Sequence, residues 1–91
     1  MFENLEQLIK TIRERKNSSP ETSYTNKLLN DKDLSVSKVK EEIAELIEAV
    51  EKDTNKVHEA ADVLYHLFVY LESHNIKIED IMIELKKRQK Q

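Results

Sequence analysis

The chain contains no glycine, no cysteine and no tryptophan, and its 91 residues include a single proline, Pro20. Tight hairpin turns usually need glycine at positive φ, so its absence argues against β-structure. It also excludes the glycine-rich loops that cradle phosphates, which leaves side chains, a metal or a helix N-terminus to meet any phosphate. Without cysteine there is no disulfide, no thiol nucleophile and no thiolate metal site, as fits a cytoplasmic protein. Long apolar runs are also missing: the longest, Val63 to Leu71, is interrupted by His66 and is too short to span a bilayer. Nor is there an excess of positive charge. The net charge is −3, whereas general nucleic-acid binders are usually basic. The opening residues Met1-Phe2-Glu3-Asn4 do not read as a signal peptide. The expectation is a cytoplasmic protein with neither a membrane nor a nucleic acid as partner.

Hydrophobic residues make up 38% of the chain and charged residues 36%. That mixture suits an all-α bundle with a solvated exterior and an oligomeric interface. The length suits one domain over residues 1–91, near the lower limit for a self-sufficient core. Helical spacing of Phe2, Leu5, Leu8, Ile9 and Ile12 predicts a first helix from about Phe2 to Lys16, ended by Asn17-Ser18-Ser19-Pro20. A short helical segment from Tyr24 to Leu29 follows, and Asn30-Asp31-Lys32-Asp33 reads as a loop. Val36, Val39, Ile43, Leu46, Ile47 and Val50 form the apolar stripe of a long helix starting after a cap at Ser35 or Ser37 and running to Lys52. Asp53-Thr54-Asn55 is a turn. The next helix, Lys56 to His74, carries one apolar face of Val57, Ala60, Ala61, Leu64, Leu67, Phe68 and Leu71. Asn75 suits a left-handed cap. A last helix runs from about Ile78 to Lys90, its basic end favourable to the helix dipole.

The chemistry lies in the acids. Glu42 and Glu45 are three residues apart, as are Glu59 and Asp62, so each pair shares a helix face. Glu41 and Glu48 belong to the same acidic run, and that run taken alone reads as a solvated face. The second helix is more telling. Glu59, Asp62 and His66 fall within about 60° of one another on the helical wheel, flanked by Val63, Val69 and Tyr70. A helix apolar nearly all round is usually buried on two sides, so these acids face protein and need partners. Four carboxylates brought together raise one another's pKa. A divalent cation with a taste for oxygen, Mg²⁺ or Mn²⁺, relieves the conflict and suits a polyphosphate substrate. An ion pair with Lys or Arg from another helix is the competing reading, and the residues alone leave both open. His66 reads either as a satisfied core histidine or as a group that orients a carboxylate or touches phosphate. Lys38 reads either as the surface partner of Glu42 or as a phosphate contact. Arg15, Lys16, Lys27 and Arg88 are ambiguous in the same way.

The residues resemble the phosphoribosyl-ATP pyrophosphohydrolases of histidine biosynthesis, within the MazG-like all-α NTP pyrophosphatases. The superfamily pattern Glu-x-x-Glu, spacer, Glu-x-x-Asp is matched by Glu42, Glu45, Glu59 and Asp62. Arg15-Lys16 followed by Pro20-Glu21-Thr22-Ser23-Tyr24-Thr25 resembles the family's entry segment. Lys38 to Glu45 resembles Lys-Val-Gly-Glu-Glu-x-x-Glu, and Glu59 to Leu67 resembles Glu-x-Ala-Asp-Leu-x-Tyr-His. The tail from Ile78 to Arg88 also fits. Lys40 stands where the family has glycine, and the loop before the long helix lacks the family's glycine and is about one residue shorter.

The resemblance implies a homodimeric four- to five-helix bundle of the all-α NTP pyrophosphatase type. It implies Mg²⁺-dependent hydrolysis of phosphoribosyl-ATP to phosphoribosyl-AMP and pyrophosphate, with Mn²⁺ as an alternative ion. Glu42, Glu45, Glu59 and Asp62 would hold metal, and Glu41 would support them. Arg15, Ser23, Tyr24, Thr25, Lys27, Lys38 and His66 would meet substrate. Three other readings stand beside it: a housecleaning pyrophosphatase acting on free (deoxy)nucleoside triphosphates, a metal-free helical interaction module, and a degenerate, inactive relative in which Lys40 disturbs the site.

Overall fold

The computed structural model describes residues 1–89, and within them the chain is all-α. Helix α1 covers Glu3–Glu14 and passes into a 3-10 turn, Arg15–Asn17; α2 is Tyr24–Asn30, α3 Lys32–Lys52, α4 Lys56–Ser73 and α5 Ile78–Arg88. The last helix was expected to reach Lys90, which lies outside the described residues.

The expected loop Asn30-Asp31-Lys32-Asp33 is reduced to one residue. Asp31 is extended and serves both helices at once: it ends α2 and caps α3, its Oδ1 accepting from Leu34 N at 3.0 Å. Aspartate is a strong N-cap, and Asp33 adds a negative charge to the first turn, where the helix dipole favours it. Helix α3 thus starts before the serines expected to cap it, and Ser35 is instead buried on its inner side.

Glycine is replaced at the left-handed positions by residues whose short polar side chains tolerate them. Asp53 (φ 56°) and Asn55 (φ 41°) form the α3–α4 turn, and Asn75 (φ 57°) follows the end of α4. The three-residue turn folds α3 and α4 into an antiparallel hairpin, the most extensively packed helix pair in the molecule. Against α4 lie α1 and α2, which close a small core of Ile12, Leu28, Phe68 and Val69. Helix α5 packs little against the other helices. It is held through Ile78 and through Arg13, which donates to both Glu79 oxygens at 2.7 and 2.9 Å.

Two expectations about helix faces are corrected. On α3 the inward residues are Ser35, Glu42 and Ala49, while Ile43, Ile47 and Val50 of the expected apolar stripe are exposed. On α4, Val69 was expected to flank an outer polar face that meets a partner. It is instead fully buried inside the monomer, and the open side carries Val57, 85% exposed, and Leu64. Periodicity reports which residues share a face; which face turns inward was decided by where α1 and α2 dock.

Asn26 ties the 3-10 turn to α2. It is buried, its Nδ2 donates to the Arg15 carbonyl at 2.8 Å, and its Oδ1 accepts from Asn30 Nδ2 at 3.0 Å. Replacing buried Asn26 by Ala removes the donor to the Arg15 carbonyl and leaves a gap beneath the turn. The variant should lose about 1–3 kcal/mol of stability, read from its urea midpoint at unchanged slope.

Candidate metal centre

The hairpin explains why the two acidic pairs meet. Counted from Thr54 at the turn, Glu42 lies twelve residues back and His66 twelve forward; Glu45 lies nine back and Asp62 eight forward. At equal rise per residue these positions stand level across the two helices. One carboxylate oxygen from each of Glu42, Glu45 and Glu59 lies within 4.8 Å of the others. Asp62 adjoins this trio through Glu59, with which it shares a second group that includes His58.

Two oxygens of the cluster, Glu42 Oε2 and Glu59 Oε2, are buried without a hydrogen-bond partner. Burial pushes the Glu42 carboxyl above the usual carboxylate range, and the charges of Glu45 and Asp62 push it further, while His66 opposes them. Glu59 is also raised, first by burial and then by Glu45. Among the described residues no lysine or arginine pairs with Glu42, Glu45, Glu59 or Asp62. The contrast is Glu72 on α4, as buried as Glu42 but answered by Arg13 Nε and Lys16 Nζ, both at 3.0 Å. The ion-pair reading therefore describes Glu72 and not the cluster. An all-oxygen donor set with buried, unpartnered oxygens and no protein cation fits a hard divalent ion.

Around the cluster the other predicted residues take varied places. Glu41 points to the surface and pairs with Lys38 Nζ at 3.1 Å. Tyr24, half exposed, lies close enough to Lys38 and Glu42 for both charges to act on its hydroxyl, although burial is the main cause of its raised pKa. His66 is buried with its ring edge-to-face against Tyr65 at 4.9 Å and Tyr24 at 6.2 Å. Its Nδ1 donates to the Asp62 carbonyl at 2.9 Å, and Nε2 is buried without a partner. Ser23 Oγ caps α2 by accepting from Asn26 N at 3.1 Å, and Thr25 Oγ1 bonds the Tyr65 hydroxyl at 2.5 Å. Arg15 and Lys27 are exposed, and neither side chain forms an ion pair among the described residues. Lys40 is exposed on α3.

Three residues of this region were not singled out from sequence. Asn26 fixes the segment that carries Tyr24, and Tyr65 fixes Thr25; neither leaves a periodic signal. His58 leaves one, since it stands four residues before Asp62.

Comparison with known proteins identifies the family. The family model described as phosphoribosyl-ATP pyrophosphohydrolase matches residues 5–89. A phosphoribosyl-ATP pyrophosphatase of Clostridium acetobutylicum is 47% identical over 90 residues, covering 94% of this chain and 81% of its own. One from Bacillus cereus is 45% identical over 84 residues, covering 89% and 78%. One from Nitrosospira multiformis is 43% identical over 86 residues, covering 90% and 70%. No solved structure matches. The chain belongs to the phosphoribosyl-ATP pyrophosphohydrolase family.

The cluster's repulsion has a measurable consequence. A carboxyl whose pKa is raised by folding binds its proton more tightly in the folded state, so stability falls as pH climbs from about 4.5 through the raised value. In metal-free protein at pH 7.5, Glu42→Gln should therefore melt above the wild type, and the gap should close as pH approaches 4.5. Saturating Mn²⁺ should reverse the order, since an ion at about a hundred times its Kd adds about 2.7 kcal/mol to the form that binds it.

Proposed function

We propose that this member of the family hydrolyses phosphoribosyl-ATP to phosphoribosyl-AMP and pyrophosphate, the second step of histidine biosynthesis, at the carboxylate cluster between α3 and α4. The observation that carries the reading is the match along residues 5–89 joined to a partly buried acidic cluster that no lysine or arginine among the described residues neutralises. Residues 1–91 would form one catalytic domain. A nucleotide substrate of amino-acid biosynthesis implies a cytoplasmic enzyme, and no described helix is long and apolar enough to cross a membrane.

Glu42, Glu45, Glu59 and Asp62 would hold Mg²⁺, with Mn²⁺ as its substitute. The ion supplies charge neutralisation for the triphosphate and acidifies a water. The phosphoanhydride between the α and β phosphorus atoms breaks, pyrophosphate leaves, and the water's oxygen completes the cleaved phosphate. A carboxylate of the cluster accepts the water's proton. Lys38 stands beside Tyr24 and Glu42, at the rim where the phosphate chain would enter, and Glu41 holds its ammonium there. Tyr24 offers an exposed aromatic surface to the nucleotide. Thr25, Ser23 and Asn26 hold Tyr24 in place through their bonds to Tyr65 and the α2 backbone. His66 stands in the neighbouring wall, its Nε2 buried and without a partner. Arg15 and Lys27 are exposed cations available to the phosphoribosyl phosphate.

The working form is a homodimer. The protomer exposes 6810 Å², where a compact chain of 10.7 kDa would expose about 5500 Å². Its radius of gyration is 14.4 Å against about 12 Å for a compact domain of this length. Ile43, Ile47 and Val50 of α3 and Val57 and Leu64 of α4 leave the hairpin with exposed apolar residues on both helices. An exposed patch of that kind marks an interface, and a second copy supplies a matching apolar side.

Glu59→Gln and Asp62→Asn keep shape and remove a negative ligand. Each should lower pyrophosphate release from phosphoribosyl-ATP at saturating Mg²⁺ by a hundredfold or more, at about 1.4 kcal/mol per tenfold, while the metal-free melting point holds or rises. Wild-type turnover in both variants would refute the assignment. ATP and deoxynucleoside triphosphates, assayed in parallel, should be poor substrates; a preference for them would mark a housecleaning pyrophosphatase. Light scattering at micromolar concentration should return twice the chain mass, and Ile47→Glu should return the monomer; a wild-type monomer would contradict the dimer.

A further inference from the structure

His58 takes no part in the hydrolysis described above, yet it stands at the edge of the cluster. It lies in the first turn of α4, one residue before Glu59 and four before Asp62. One of its ring nitrogens, one oxygen of Glu59 and one of Asp62 all lie within 4.8 Å of one another. Nε2 is 3.4 Å from Asp62 Oδ2, long for a charge-assisted hydrogen bond, which closes to about 2.7–2.9 Å. Two atoms that each bind one ion at about 2.1 Å across a tetrahedral angle lie about 3.4 Å apart. Glu59 belongs both to this trio and to the trio with Glu42 and Glu45. The second trio includes the Glu42 side chain, more than nine-tenths buried with an unpartnered oxygen. The two groups are therefore one continuous donor set, oxygen throughout except for the single nitrogen at its outer edge.

We propose that His58 is a nitrogen ligand of this centre and that it gives the protein a tighter hold on borderline divalent ions, such as Co²⁺ and Zn²⁺, than the carboxylates alone provide. The proposal rests on the reading of the carboxylate cluster as a metal site. Mg²⁺ selects oxygen and keeps its waters, so an added imidazole contributes little to its affinity. Imidazole is a favoured ligand of Co²⁺, Ni²⁺ and Zn²⁺. As a neutral ligand it adds no charge, so it shifts metal preference without relieving or worsening the carboxylate repulsion. The other reading is a surface His–Asp pair at i,i+4 spacing, which makes no distinction between metals.

The full-length, metal-free protein should be titrated calorimetrically with CoCl₂ and with MgCl₂, in wild type and in His58→Ala. His58 is 72% exposed at its side chain, so the substitution leaves the packing intact. The expected result is a tenfold or greater loss of Co²⁺ affinity in the variant with Mg²⁺ affinity unchanged within twofold. Zn²⁺ should also displace the ring-nitrogen NMR resonances of His58 in the wild type. Equal Co²⁺ affinity in the two proteins, or an equal fall for both metals, would overturn the proposal while leaving the carboxylate site standing. Failure of the wild type to bind any of these ions would overturn both.

Discussion

Everything distinctive about this molecule follows from like charges held close on two packed helices. Glu42, Glu45 and Glu59 converge in the α3–α4 hairpin, and Asp62 adds its charge to the same field. Among the described residues no lysine or arginine neutralises them, although Arg13 and Lys16 do so for Glu72 a few turns along α4. Burial and mutual repulsion both disfavour the charged form, so the folded chain keeps a conflict that a proton or a bound cation relieves. The hairpin's short turn, the docking of α1 and α2 on α4 and the left-handed Asp53 and Asn55 all serve to hold the two acidic pairs level.

Much of this was legible in the residues. Helical spacing located all five helices, and the turn at Asp53-Thr54-Asn55 is where it was expected. The acid spacing on each helix also foretold which carboxylates share a face. The errors have a common physical origin. Helix periodicity fixes the angle between residues, and only tertiary docking fixes which angle points inward. Ile43, Ile47 and Val50 therefore looked like core and are open, while Glu42 looked marginal and is buried. The polar run Asn30 to Asp33 looked like a loop because its residues favour turns; one of them, Asp31, favours a helix cap as strongly, and a single residue sufficed. Asn26 was invisible because its Nδ2 meets the Arg15 backbone carbonyl, a group every residue has.

The openness of the protomer belongs to the same logic. A short chain rich in charge cannot wrap both sides of a long hairpin, and the packing of α1 and α2 is spent on the side that carries Val69 and Phe68. The other side leaves apolar residues such as Val57 and Leu64 exposed, and the electrostatic site lies on the seam where α3 and α4 meet. A solvated exterior, a small core and an open apolar side are then consequences of the same composition, and the absence of glycine costs little because aspartate and asparagine occupy the three left-handed positions.

The central claim is that an ion, and not a protein cation, sits among the four carboxylates. Anomalous diffraction from a crystal soaked in Mn²⁺ tests it directly. The account predicts a strong anomalous peak bounded by Glu42, Glu45, Glu59 and Asp62. A map without that peak, with a lysine or arginine of the partner copy reaching into the cluster instead, would contradict it.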